Sequence, residues 1–379
     1  RVVDINAAFD ALEGDCIDEA ESLCLAAILE NPNLPAPHYL LGTIRGLQDR
    51  IEEAIACLEH ARSFAPNHVA TNVNLATLLQ RAGKPEQSIE ILKKLEQSAA
   101  LDAEALALKA NLQLEVEEPQ AAINTAELAL AQDKDCVSAI VAKANGLAAL
   151  RFHDEALRLY SVAARLNHSP QLAINEARVL QDCGRLQQAL TIYKKVLNSD
   201  PTQIEALTGK SLVLCELDQH EEAQRAARTA LTLSPNSREA KFMLANALRR
   251  ADKNEDARLL LEELLKEKKE ARMLVIYAQV LSDLFLHQAA IEVCTQAIEL
   301  SPKAHDAYLQ RALIRLLTGD FERGFQDYEH RLLVPQNVRT TLKAQEAFVP
   351  FAQRSPEIED IKNKHLLIME EQGIGDVIM

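Results

Sequence analysis

The sequence predicts an all-α protein, a solenoid of about ten helical hairpins. Three observations carry that expectation: a 34-residue period, two positions in each period that stay small, and a composition that favours helix. Pro32 and Pro66 are 34 residues apart, as are Pro201 and Pro235, and Pro302 follows at nearly two further periods. A grid of 34 residues, shortened by one near 169 and by another near 270, covers residues 1–338 in ten units.

Each position of the grid carries its own physical demand. The eighth is Ala8, Gly42, Ala76, Ala110, Ala144, Ala177, Ser211, Ala245, Ala278 and Ala312. The twentieth is Ala20, Ala54, Ser88, Ala122, Ala156, Ala189, Ala223, Ala257, Ala290 and Gly324. Small side chains let two helices approach closely, so each unit reads as a hairpin whose helices A and B touch at these two points. The twenty-fourth position is apolar and mostly larger, as at Leu58, Leu92, Tyr160, Tyr193 and Leu261, which suits filling space between neighbouring hairpins. Gly14-Asp15, Gly83-Lys84, Gly184-Arg185 and Gly319-Asp320 mark turns between helices A and B. The periodic prolines fall after helix B, where they stop one helix without breaking the next.

Composition agrees and excludes several function classes. Ala, Leu and Glu recur, Gly is only 11 of 379 residues and Trp is absent, a mixture that loses little on entering helix. The net charge of −15 repels a phosphate backbone, so no nucleic-acid partner is expected. No run approaches the roughly 18 apolar residues of a membrane helix, and no membrane partner is expected. The seven cysteines are odd in number and form no C-x-x-C pair, which reads as reduced thiols in a cytoplasmic protein. Arg1 in place of Met points to a native start that lies elsewhere.

Period, paired small residues and terminal prolines together resemble the tetratricopeptide repeat, although the tryptophan common near the start of helix A is missing. The resemblance implies a right-handed superhelical solenoid whose concave groove, lined by helix A, holds a protein or extended peptide. Helix A carries Asn74 and Asn175 at position 6 and Asn111, Asn145 and Asn246 at position 9. A carboxamide both donates and accepts, so it can grip a peptide backbone without reading side chains. The arrays of protein O-linked N-acetylglucosamine transferases carry asparagines at similar positions. With only two asparagines at position 6, a plain solvated face is the competing reading. Arg178, Arg249 and Arg272 join these as candidate peptide-binding residues, against Glu205 and Glu239, where mixed charges again read equally as solvation.

Chemistry is sparse along the array. His153, His220 and His287 share position 17, but alternate units place them too far apart for one metal, whose ligands must lie at ~2 Å. They read as exposed loop residues, and no metal is expected. Cys215 occupies a groove-facing position with no basic cluster near it in sequence.

The last sixty residues differ. Residues 339–364, with Pro350 and Pro356, leave the repeat register and read as a linker. The segment 365–379 then runs from the apolar His365-Leu-Leu-Ile-Met369 into Glu371-Gln372-Gly373-Ile374-Gly375-Asp376, the profile of a strand entering a Gly-rich turn. With Gly319-Asp320-Phe321, Gly324-Phe325 and Tyr328-Glu329-His330-Arg331 before it, this resembles bacterial tetratricopeptide proteins that continue into a two-Rossmann glycosyltransferase-like domain. Phe325 and His330 stand where that group has tryptophans. The resemblance implies a short α/β start cut at its first strand, with Gly373 and Gly375 as a donor loop. It also makes Asp376 the matching general base of heptosyltransferases, against a plain helix cap. A nucleotide sugar donor would belong to the full-length protein, and no cofactor is expected for this chain. One strand cannot form a sheet, so this chain alone should not catalyse sugar transfer. The expected function is a peptide-binding region that recruits substrate for a glycosyltransferase domain, with a non-catalytic adaptor as the alternative.

Overall fold

The computed structural model describes residues 5–98 and 100–334. These form twenty α-helices and one terminal 3-10 helix, with no strand among the described residues. The fold is an all-α solenoid of helical hairpins. The linker and the segment 365–379, and with them Gly373, Gly375 and Asp376, lie outside the described residues.

The contacts divide the chain into two compact units between Cys183 and Gly184, inside the sixth hairpin. Unit 1 holds α1 (Ile5–Glu13), α2 (Ile17–Glu30), α3 (Pro35–Leu47), α4 (Ile51–Phe64), α5 (Val69–Arg81) and α6 (Pro85–Glu96). It continues through α7 (Ala103–Glu115), α8 (Pro119–Gln132), α9 (Val137–Ala149), α10 (His153–Leu166) and α11 (Pro170–Asp182). Unit 2 holds α12 (Leu186–Ser199), α13 (Ile204–Glu216), α14 (His220–Leu233), α15 (Arg238–Arg250) and α16 (Asn254–Glu267). It closes with α17 (Ala271–Asp283), α18 (His287–Leu300), α19 (His305–Leu317), α20 (Phe321–Tyr328) and the 3-10 helix Glu329–Leu333. Every B helix begins at position 17 of the grid, and from the second unit on every A helix begins at position 1.

The small positions do what their size allows. All twenty are buried, and the eighteen alanines and serines are fully so. A Cβ at Gly42 would stand 2.7 Å from Leu58 of the same hairpin, so glycine there sets how closely α3 and α4 pack. Where serine replaces alanine, its hydroxyl crosses the hairpin: Ser88 donates to the Ala76 carbonyl at 2.6 Å, and Ser211 to that of Ala223 at 2.9 Å. Each bond satisfies a hydroxyl that burial would otherwise penalise. Position 24 is shut off from solvent at Leu58, Leu92, Tyr193 and Leu261. Tyr193 reaches the next hairpin, where a Cβ on Gly209 of α13 would fall 2.4 Å from its ring.

The turn between helices A and B is one motif repeated. Residue 15 of all ten units has positive φ: Asp15, Asp49, Gly83, Glu117, Arg151, Gly184, Asp218, Asp252, Phe285 and Gly319. In nine of these turns the following amide donates to the carbonyl five residues back, as from Cys16 to Ala11 at 2.8 Å and from Leu286 to Leu281 at 2.8 Å. That 6→1 bond over a left-handed residue is the Schellman helix end, which satisfies carbonyls the helix leaves open. In the first unit the left-handed residue is Asp15, not Gly14.

Position 17 also corrects the reading of the histidines. His153, His220 and His287 are the first residues of α10, α14 and α18 rather than loop residues, and none is exposed; His153 is buried. No group of three or more metal-ligating side chains exists among the described residues.

Candidate functional site

The A helices of unit 1 line a cavity of about 1040 Å³. Five carboxamides reach it from four consecutive A helices: Gln80 of α5, Asn111 of α7, Asn145 of α9, and Gln171 and Asn175 of α11. Arg178 lines it too and donates to the Asn175 side-chain oxygen at 2.7 Å. The sequence-derived candidates Asn111, Asn145, Asn175 and Arg178 are thus brought to one place, although up to 67 residues separate them in the chain.

Not every amide there is equally available. The Tyr160 hydroxyl donates to the Asn145 side-chain oxygen, which leaves Asn145 one acceptor lone pair beside its NH2. Tyr160 is itself buried, and lost hydration pushes its phenol well above the usual range. The Gln80 amide donates to the Glu115 carboxylate. Glu115, Glu117 and Asp182 complete the polar wall, beside Leu114, Pro119, Ala148, Ala149 and Val179. Asp182 is exposed, yet lost hydration beside the protein pushes its carboxyl up, against the pull of His153, Arg151 and Arg178.

Asn74 lies elsewhere. Its amide nitrogen donates to Thr43 at 3.3 Å and to the Tyr39 hydroxyl at 3.4 Å, tying α5 to α3.

Unit 2 has a separate cavity of about 720 Å³ that takes in Asn246, Arg249 and Arg272. Its apolar walls include Phe242, Met243, Val275, Ile276, Leu309 and Leu313. Asn246 is buried. Arg272 is held by Glu239, through bonds of 2.6 and 3.2 Å, and by Glu270 at 3.3 Å, and it stacks over the Phe242 ring at 5.0 Å. Arg249 lies 3.5 Å from Asp283, and burial, with Arg250 beside it, lowers its pKa. Cys215 lines this cavity as well. Arg249 and Arg250 are close in space though not in sequence, but burial outweighs them and pushes the thiol up to about 11. It is not an activated nucleophile. None of the seven cysteines takes part in a disulfide.

Sequence reasoning missed Gln80, Gln171, Glu115, Glu117, Tyr160 and Asp182. Gln171 shares position 2 with Glu205, Glu239 and Arg272, so the position was visible and only its glutamine was passed over.

Family models of the tetratricopeptide repeat match residues 47–112, 209–272 and 271–303. The chain carries tetratricopeptide repeats. Among curated relatives, the mouse and human DnaJ homolog subfamily C member 7 are each 30% identical over 173 residues, 41% of this chain and 35% of the relative. The matched stretch is about a third of those relatives' length. A tetratricopeptide repeat protein from Parabacteroides merdae superposes with a TM-score of 0.57 at 19% identity, over 64% of this chain and 97% of its own. A chain of the APC/C hetero-tetramer Cut9-Hcn1 gives 0.54 at 12% identity, over 91% and 83%. Both likenesses are of fold. No helix among the described residues is long and apolar enough to cross a membrane.

Proposed function

We propose that this repeat array is a protein-interaction region that holds an extended peptide in the unit 1 cavity. The observation that carries this reading is the convergence of Gln80, Asn111, Asn145, Gln171 and Asn175 on one open space. An extended peptide presents an N–H and a C=O at every residue, and carboxamides spaced along successive helices offer the complementary acceptor and donor. The apolar residues between them give side chains somewhere to rest. The unit 2 cavity, where Asn246 and three arginines share the lining with acidic and apolar residues, extends the same kind of surface.

The finer reading is that the bound peptide is a substrate delivered to a glycosyltransferase domain opened by Gly373, Gly375 and Asp376, in a cytoplasmic protein. Its support is the sequence motif of residues 365–379 and the absence of disulfides among the seven cysteines. The adaptor reading needs only the array.

Selection of a phage-displayed random peptide library on this chain, followed by fluorescence anisotropy with the enriched peptides, tests the first reading. Binding that drops in an Asn111→Ala, Asn175→Ala double variant of unchanged helicity supports it; equal binding by that variant removes the site. The full-length protein given labelled nucleotide sugars tests the second. If it neither transfers sugar nor retains nucleoside diphosphate, the adaptor reading stands.

A further inference from the structure

The unit 1 cavity is asymmetric, and its asymmetry selects a ligand. At positions 12 and 13, the last turn of helix A, the fourth and sixth hairpins carry Leu114-Glu115 and Gln181-Asp182. The hairpin between them carries Ala148-Ala149, so the cavity floor dips where two side chains are short. α7 ends at Glu115, α9 at Ala149 and α11 at Asp182, so three helix C-termini, each with negative partial charge, meet around that dip. Glu115 and Glu117 stand on one side and Asp182 on the other. Among the described residues Arg178 is the one cation of the lining, and it is turned to Asn175. The lining therefore carries three carboxylates against one guanidinium, within a chain of net charge −15.

We infer that the unit 1 cavity takes a basic peptide, placing one long cationic side chain, lysine or arginine, in the Ala148-Ala149 dip between Glu115, Glu117 and Asp182. This rests on the peptide-binding reading above and adds to it the class of peptide. The aliphatic stem of such a side chain lies over Leu114, Ala148 and Ala149 while its head reaches the carboxylates, a division of labour that suits lysine and arginine alone. An acidic side chain would meet both the carboxylates and the helix ends.

The test is a positional-scanning library of nine-residue peptides, read by anisotropy against the whole chain. It is run on wild type, on a Glu115→Gln, Glu117→Gln, Asp182→Asn variant, and on Ala149→Arg, which puts a guanidinium into the dip from the protein itself. All four positions are on the surface or the cavity wall, and thermal melts check that the variants fold. The expected result is enrichment of Lys and Arg at one position, with about tenfold weaker binding when that residue becomes norleucine. The preference should disappear in both variants while residual, charge-independent binding persists. Binding with no preference for a cation, a preference for acidic peptides, or a preference that survives both variants overturns the inference and leaves peptide binding intact. Failure of every peptide to bind wild type overturns both.

Discussion

Phe285 is the residue least suited to its backbone conformation. It sits at position 15 with φ of 61°, in the left-handed region, where a Cβ crowds the following carbonyl. That crowding costs about 1–2 kcal/mol for an ordinary residue. Phe285 is 83% exposed, so little burial offsets the strain. Its ring approaches His287 edge-on with centroids 6.1 Å apart. Phe285→Gly removes the crowding but adds freedom to the unfolded chain, worth roughly 0.5–1 kcal/mol. The expected net effect is stabilisation by about 0.5–1 kcal/mol. Phe285→Asn, which tolerates the left-handed region without glycine's entropy, should do at least as well. Gly319→Ala runs the comparison backwards. Nothing lies within 4 Å of the Cβ it would add, so its expected loss of about 1 kcal/mol reports backbone conformation alone. Urea unfolding, with the slope checked for constancy, measures all three. Because repeat arrays can open locally, exchange of the Leu286 amide, which makes the 6→1 bond to Leu281, gives the same answer at the turn itself. If both Phe285 variants destabilise, or if Gly319→Ala is neutral, position 15 is not a common left-handed site and the Schellman reading of the turn fails.

Gly209→Ala sets helix propensity, about 1 kcal/mol in favour of alanine, against a Cβ placed 2.4 Å from the Tyr193 ring. Overpacking should win by about 1 kcal/mol, and the same substitution in a Tyr193→Leu background should become stabilising. Asp327 is buried between Arg311, at 2.7 and 2.9 Å, and Arg315, at 2.7 Å. Asp327→Ala strands two guanidiniums and should cost about 3 kcal/mol by denaturant unfolding, with loss concentrated in the last hairpin. His330 stacks on Tyr308 with centroids 3.7 Å apart, and its Nδ1 is 3.0 Å from that of His305, so one ring must donate and the other accept. Burial and His305 hold its pKa below the usual value, although Asp327 and Glu329 pull upward. A depressed folded pKa means the unfolded chain binds the proton first. This stability is therefore complete above about pH 6.5 and falls as pH drops from there through the folded value. Thermal midpoints from pH 8 to pH 5 should show the fall, and His330→Phe, which keeps the stack, should flatten it.

What was legible in the sequence was whatever a single unit must satisfy alone. Ala156 or Ala189 has to be small because its own hairpin closes on it, and that demand recurs every period, so the grid finds it. The left-handed turn is equally local, and its signal was present: seven of the ten residues at position 15 are Gly or Asp, types that enter that region most readily. Glycine marks only three of the ten turns, and Asp15, Asp49, Asp218 and Asp252 carry the rest of that signal. The candidate site is a different matter. Asn111 and Asn145 were visible because they repeat a position. What they share the cavity with is set by side chains meeting both within a hairpin and across neighbouring units. The Tyr160 hydroxyl engages Asn145 from position 24 of the same hairpin, whereas Gln80 of the third reaches Glu115 of the fourth. Each pairing needs a particular residue type at two positions at once, and a period of single positions does not announce it. The dip at Ala148-Ala149 is the sharpest case. In sequence it is two alanines in an alanine-rich helix. It gains meaning only once Glu115 and Asp182 stand on either side, and specificity in a repeat array arises in such departures from the repeat.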